Sequence, residues 1–151
     1  MANTQAMCTS FKVEILGGVH AIGTPPTRAN TNKDTFYAAL YLASATVNAS
    51  TTAYSVTGEV SGSGYSAGGI TVTNATAPTS TGTTAFYTPS ASLTYSNVTL
   101  ATAFDAVLMY NSTQSNKAVA VYTFGSQTVT AGNFILTMPT NDASTALLRI
   151  A

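Results

Sequence analysis

Few side chains in this sequence are able to do chemistry. The 151 residues include one cysteine, one histidine, five acidic and five basic residues. The most suggestive pattern is Gly64-Tyr65-Ser66-Ala67-Gly68, a match to G-x-S-x-G. In that motif a serine on a tight strand-to-helix turn acts as a nucleophile. Here the following residues, Gly69-Ile70-Thr71-Val72-Thr73, alternate as a strand does. His20 also precedes the serine, the reverse of the Ser–acid–His order of that fold. A Gly/Ser turn between strands is the simpler reading. The overlapping Gly62-x-Gly64-x-x-Ala67 is a degenerate dinucleotide fingerprint, but no helical pattern follows it to receive a pyrophosphate.

Cys8 and His20 would make a thiolate–imidazole pair only if folding joined two elements separated by a Gly-rich turn, and no acid is placed to orient the ring. A lone cysteine on an apolar stripe reads more simply as a small core residue. One Cys and one His are too few for a zinc site. Glu14, Asp34, Glu59, Asp105 and Asp142 are well spread, unlike the grouped carboxylates of a calcium site or a glycosidase, although folding can bring two together. No catalytic, cofactor-binding or metal-binding residue is assigned, and the chain reads as a non-enzyme without a cofactor. The aromatic residues are the remaining candidates. Tyr37, Tyr41, Tyr110 and Tyr122 fall in strand-like runs and suit the core. Tyr54, Tyr65 and Tyr87 lie nearer turns and are candidate partner contacts, with Pro25 and Pro26 in a long loop.

Charge is scarce. Only 7% of residues are charged, against roughly a quarter in an ordinary soluble domain. The net charge is zero, and Lys12, Arg28, Lys33, Lys117 and Arg149 are scattered, which argues against nucleic acid as a partner. With 45% hydrophobic residues the chain should fold, and near-zero charge removes the repulsion that keeps monomers apart. The N-terminus lacks the pattern of a signal peptide, and no apolar run approaches the roughly 18 residues of a membrane helix. These features predict synthesis and folding in a reducing cytosol, with no membrane partner. Sequons at Asn48, Asn74, Asn97 and Asn111 are expected by chance in so Ser/Thr-rich a chain.

The elements that must position these residues are mostly strands. From Thr4 to Leu16 the spacing of Met7, Phe11 and Ile15 favours a helix, stopped by Gly17-Gly18, over a strand through Phe11, Val13 and Ile15. Residues 1–18 are therefore read as an N-terminal helix or arm, 19–35 as a loop and 36–151 as a β domain, in a single domain overall. Strand-like runs occur at Phe36–Ala43, Tyr54–Val60, Gly69–Thr73, Ser92–Leu100, Phe104–Tyr110, Ala118–Phe124, Gly125–Thr130, Phe134–Met138 and Leu147–Ile150. A break is expected near Asn97 and a polar hairpin turn at 111–116. The predicted class is all-β: an antiparallel β-sandwich, jelly-roll-like, with a short N-terminal helix or arm.

Several stretches carry a family resemblance. They are Ser10–His20, Asp34–Thr46, Thr51–Gly69, Phe104–Tyr110 and Val121–Gly132, and the most specific is Glu59–Gly69. In these the chain resembles a family of small virion structural proteins of tailed bacteriophages. The resemblance implies a virion component, made in the host bacterial cytoplasm, in which the Gly-rich segment recurs as a loop. The function it suggests is a capsid decoration, or cement, protein that binds and stabilises the outer capsid lattice. Its partners would then be the major capsid protein and copies of itself, as a homotrimer. A tail or head–tail connector protein is the alternative, and a host-surface carbohydrate-binding module presenting Tyr54, Tyr65 and Tyr87 is a further one.

Overall fold

The computed structural model describes residues 2–23 and 33–151. In chain order the elements are β1 (Ala6–Met7), α1 (Thr9–Leu16), β2 (Phe36–Leu42), β3 (Ile70–Thr71), β4 (Thr79–Thr81), β5 (Thr84–Tyr87), β6 (Leu93–Asn111), β7 (Lys117–Leu136) and β8 (Leu148–Ile150). They form two antiparallel sheets, ordered β1-β7-β6-β2-β3 and β4-β5-β8. The domain is all-β with one short helix.

The runs expected as separate strands at 92–100 and 104–110 are one strand, β6, and those from 118 to 136 are one strand, β7. They pair through the polar turn after Asn111, where Asn111 faces Lys117. The ribbon does not stay straight. Four register shifts fall between Tyr95 and Ala106, and Asn97 and Ala131 adopt positive φ of 53° and 46°. Bulges bend a ribbon and increase its twist. Phe124 and Phe134 are ten residues apart, about 33 Å in an extended strand. Their ring centroids are 5.4 Å apart, and Phe104 lies 4.9 Å from Phe134. The far half of the hairpin therefore returns over the near half, and Tyr95 on the far half donates to the Ala38 carbonyl of β2 at 2.8 Å.

The Gly-rich segment closes this bend. Tyr54–Val60, expected as a strand, is a crossing: Glu59 bridges Tyr41, and the Val60 amide donates to the Leu40 carbonyl at 3.0 Å. Ser63 then bridges Thr99 on the far half of β6. A side chain at Gly64 would collide with the Asn97 carbonyl, and one at Gly69 with the Ala38 carbonyl. Both residues also adopt positive φ, +78° and +75°. Gly64, the first glycine of the apparent nucleophile motif, and Gly69, just after it, are thus required by backbone-to-backbone approach. β4 and β5 lie where the sequence carries no strand signal, because Thr79–Thr81 is fully exposed and only Phe86 and Tyr87 turn inward.

The helix occupies only the second half of the stretch expected to be helical. β1 precedes it, with Ala6 opposite Val121 and Met7 opposite Ala120. Gly17 and Gly18 end it as expected, donating to the Val13 and Ile15 carbonyls. The N-terminal segment is not a separable arm. Cys8 and Phe11 are fully buried within the main hydrophobic cluster, beside Val119 and Val121. Asn3 donates to the Leu42 carbonyl at 3.0 Å and to Asp105 at 2.6 Å. Pro25 and Pro26 fall outside the described residues.

Two outcomes follow for stability. Gly69→Ala should cost at least about 3 kcal/mol, since the added methyl meets backbone in a strained conformation. Gly125→Ala, with open space around it, should stay within about 0.5 kcal/mol. Urea midpoints of the two variants check this pair. Removal of residues 2–18 should give insoluble protein, as judged by the soluble fraction on expression, because it strips Phe11 from the core.

Candidate functional site

The residues able to do chemistry are almost all used to lock the fold. Glu59, 7% exposed, accepts from the Tyr54 hydroxyl at 2.6 Å, the Tyr65 hydroxyl at 2.7 Å and the Gly68 amide at 2.8 Å. Tyr65 is held from the other side by the Leu40 amide at 3.0 Å. Burial first, and then the neighbouring Glu59 carboxylate, push the Tyr54 and Tyr65 phenols well above the usual range. They remain protonated donors, as this carboxylate needs. Tyr54 stacks on Tyr110 at 4.7 Å, Tyr110 on Tyr37 at 5.8 Å, and Tyr65 on Tyr95 at 6.0 Å.

A second lock joins α1 to the hairpin turn. The Glu14 carboxylate bonds Lys117 Nζ at 2.5 Å and His20 Nε2 at 2.8 Å. An ionised carboxylate only accepts, so Nε2 carries the ring proton. Nδ1 then accepts from Asn111 Nδ2 at 2.9 Å, and the same amide nitrogen donates to Asp34 at 2.7 Å. Asn111 Oδ1 accepts from the Gln114 amide, which fixes the orientation of the side chain. Asp34 also accepts from the Ala21 amide at 2.8 Å. The imidazole has no exposed surface and lies 4.7 Å from the Phe11 ring. Partial burial alone would raise the Glu14 pKa, but the hydrogen bonds from Lys117 and His20 and the charge of Lys117 outweigh it and hold the pKa below its ordinary value.

These placements decide the sequence candidates. Ser66 is exposed, and strand β3 rather than a helix follows it. His20 is enclosed and already bonded to Glu14 and Asn111, so the G-x-S-x-G match has no base. Cys8 is fully buried, and burial pushes its thiol up to about 11, with the Glu14 charge adding to the effect. It is a core residue and not a thiolate. Among the described residues no group of three His, Cys, Asp or Glu could hold a metal.

The tyrosine contact platform does not form as expected. Tyr87 lies on β5, is 5% exposed, and donates to Asn74 at 2.6 Å. Tyr54 and Tyr65 are half-buried, with hydroxyls turned inward to Glu59. The Glu14 lock escapes sequence reasoning, since its members are separated by up to 103 positions, whereas Tyr54, Tyr65 and Gly68 lie within nine positions of Glu59. The one available signal was Glu59 itself, a lone carboxylate within a Gly- and Tyr-rich stretch.

The open surface lies elsewhere. A groove of about 320 Å³ runs between α1 and the small sheet, walled by Phe11, Ile15, Ile22, Phe86, Leu148 and Ile150. Val13 and Leu16, on α1 but outside the groove lining, are 67% and 90% exposed. The sequence shows why α1 behaves this way: its apolar residues Phe11, Val13, Ile15 and Leu16 do not fall on a single face. No protein-family model matches the chain, and no curated protein and no solved structure is significantly similar to it.

Glu59→Ala should cost about 3 kcal/mol in urea unfolding, because it strands two inward phenols and an amide. The Glu14 contribution has a defined sign. It is complete above the ordinary carboxylate value of 4.5 and is lost as pH falls through the lower folded value. Stability measured from pH 7 down to 3 should therefore fall more steeply for the parent than for Glu14→Gln.

Proposed function

We propose that this chain is a structural, non-enzymatic protein of a tailed-phage particle, and specifically a capsid decoration protein. The observation that carries the reading is how the chain uses its polar groups. All five carboxylates are bonded internally, while Ser, Thr and Asn side chains and an aliphatic groove face outward. Such a surface suits docking and offers no constellation for catalysis. The stretches that resemble phage virion proteins coincide with what builds the fold, namely β2, the Gly-rich crossing, the hairpin and the α1 lock. The layers that the bent hairpin brings face to face support reading the fold as a jelly-roll-like sandwich.

The mechanism is linkage. A protein that binds the assembled lattice and not its free subunits stabilises the lattice by mass action. It would be made in the host cytoplasm and reside on the virion, bound to the major capsid protein and to copies of itself as a trimer. Quantitative mass spectrometry of purified particles tests this. A copy number in the hundreds is expected, whereas about a dozen or fewer would place the protein in a connector or tail and overturn the decoration reading. The Ser66→Ala variant should assemble like the parent.

Self-association should resist salt. Residues 118–141 contain no charged side chain, and exposed ion pairs are individually weak. At about 1 M salt the Debye length is roughly 3 Å, so mainly ionic contacts would dissolve. Sedimentation at low and high salt should show the same oligomer.

A further inference from the structure

We infer that the cleft between β1 and β8 receives one extended strand from a neighbouring protein, paired main chain to main chain. This deepens the docking reading and rests on it. β1 ends the five-stranded sheet and β8 ends the three-stranded sheet. Both line the same cleft of about 660 Å³, together with Ala120 and Tyr122 of β7. Alternation decides which main-chain groups reach it. In an antiparallel pair every second residue turns its amide and carbonyl to the neighbour, and the residues between turn theirs away. The Cys8 amide donates to the Val119 carbonyl and Ala6 pairs with Val121 in the same register, so Gln5 and Met7 face away from β7. The two-residue turn Gly82-Thr83 joins Thr81 to Thr84, which directs Thr84 and Phe86 toward β4 and Ala85 and Tyr87 toward β8. Leu148 and Ile150 therefore serve β5, and the amide and carbonyl of Arg149 point off the edge. The Leu147 carbonyl points the same way and accepts from Tyr122 at 3.1 Å, so this edge looks toward the large sheet. Gln5, Met7, Arg149 and Ala151 all line the cleft. Among the described residues no turn, cap or side-chain bond reaches the main chain of Met7 or Arg149.

A strand is the occupant that these edges fit. A residue in a sheet takes about 3.3 Å along the strand, about 4.8 Å to the next strand and about 10 Å between layers, or roughly 160 Å³. The cleft therefore holds about four residues, in keeping with the two of β1 and the three of β8. Open edges are normally guarded by charged side chains. Arg149 is the only charged residue of the lining, and its guanidinium is turned aside to the Ser144 carbonyl. Ala120, Ala143, Ala146 and Ala151 leave room for side chains on the incoming strand and offer nothing to a charged one. The segment is thus extended, uncharged and free of proline, whose missing amide would break the pairing. A strand seated between two edges must itself be unpaired on both sides. Every strand among the described residues is already paired on at least one side, so the folded sheets of a second copy cannot supply it. Residues 24–32 include Pro25 and Pro26, which have no amide to donate. The source is an arm of another protein, added to the sheets by β-augmentation.

The test uses the isolated full chain and a panel of short fluorescein-labelled peptides that alternate Val or Leu with Thr or Ser. Each has a counterpart N-methylated at its central residues, which lose main-chain donors and keep their side chains, and anisotropy reads binding. At least one peptide should bind, and its N-methylated counterpart should bind at least about tenfold more weakly. Arg149→Pro removes the outward amide without touching the β5 ladder and should lose about tenfold in affinity, whereas Arg149→Ala keeps the amide and should bind like the parent. Thermal melting of both variants separates lost binding from lost folding, and the N-methylated peptides decide the matter on the parent chain even if Arg149→Pro does not fold. No binding by any peptide, equal binding of a peptide and its N-methylated counterpart, or equal losses in Arg149→Pro and Arg149→Ala would overturn the inference. So would sedimentation showing a dimer that Arg149→Pro dissolves, which would put a second copy at the edge. Failure of the peptides leaves the particle copy number, and with it the decoration reading, standing as a separate result.

Discussion

The contact among Phe104, Phe124 and Phe134 is what holds the long ribbon of β6 and β7 in its bend. β6 and β7 are each about twenty residues long and paired along their length. A flat hairpin of that size would leave both faces wet and is marginal alone. By bending through successive bulges it presents one half to the other, and the inner side chains of β6, from Leu93 to Leu108, become almost fully buried. Everything else attaches to that bend. β2 pairs with the near half, the Gly-rich crossing caps the corner, and Tyr95 ties the far half to β2.

With so little charge to spend, the chain places its carboxylates where they fix geometry. Glu59 draws two tyrosines inward at the crossing, and Glu14 joins the helix to the hairpin turn through Lys117 and His20. Each is an expensive group to bury and is tolerated only because its lone pairs are satisfied. Such nodes discriminate between the native arrangement and slipped ones, since a shift of one residue would leave a buried charge without partners. The consequence for function is that little ionic character remains on the surface. The surface then offers mainly apolar area and neutral hydrogen-bonding groups.

Some of this was legible in the sequence and some was not. The all-β class, the turn after Asn111, the break near Asn97 and the Gly17-Gly18 helix stop follow from local pattern, because turn chemistry and alternation act over a few residues. The poverty of charge and the scarcity of His and Cys likewise argued against zinc and clustered-carboxylate chemistry without reference to any fold. The assignment of Tyr87 to a contact surface failed because turn proximity was read as exposure, whereas β5 turns Tyr87 inward toward Asn74. The Gly-rich stretch was read as a turn between strands despite its match to a catalytic motif, but sequence does not say which backbone its glycines approach.

The sequence by itself determined the kinds of local structure and the materials available: strands, one short helix, neutral polar turns, five carboxylates and one histidine. Tertiary structure alone decided which residues meet. It merged five expected strands into two, bent the resulting hairpin, and built the N-terminal segment into the core. It also brought Glu14 to Lys117 across 103 positions and left Leu16 facing outward. The reason is physical. Hydrophobic alternation specifies a face but not its partner, and bulge positions, register and buried hydrogen bonds are settled only when distant segments compete for the same space.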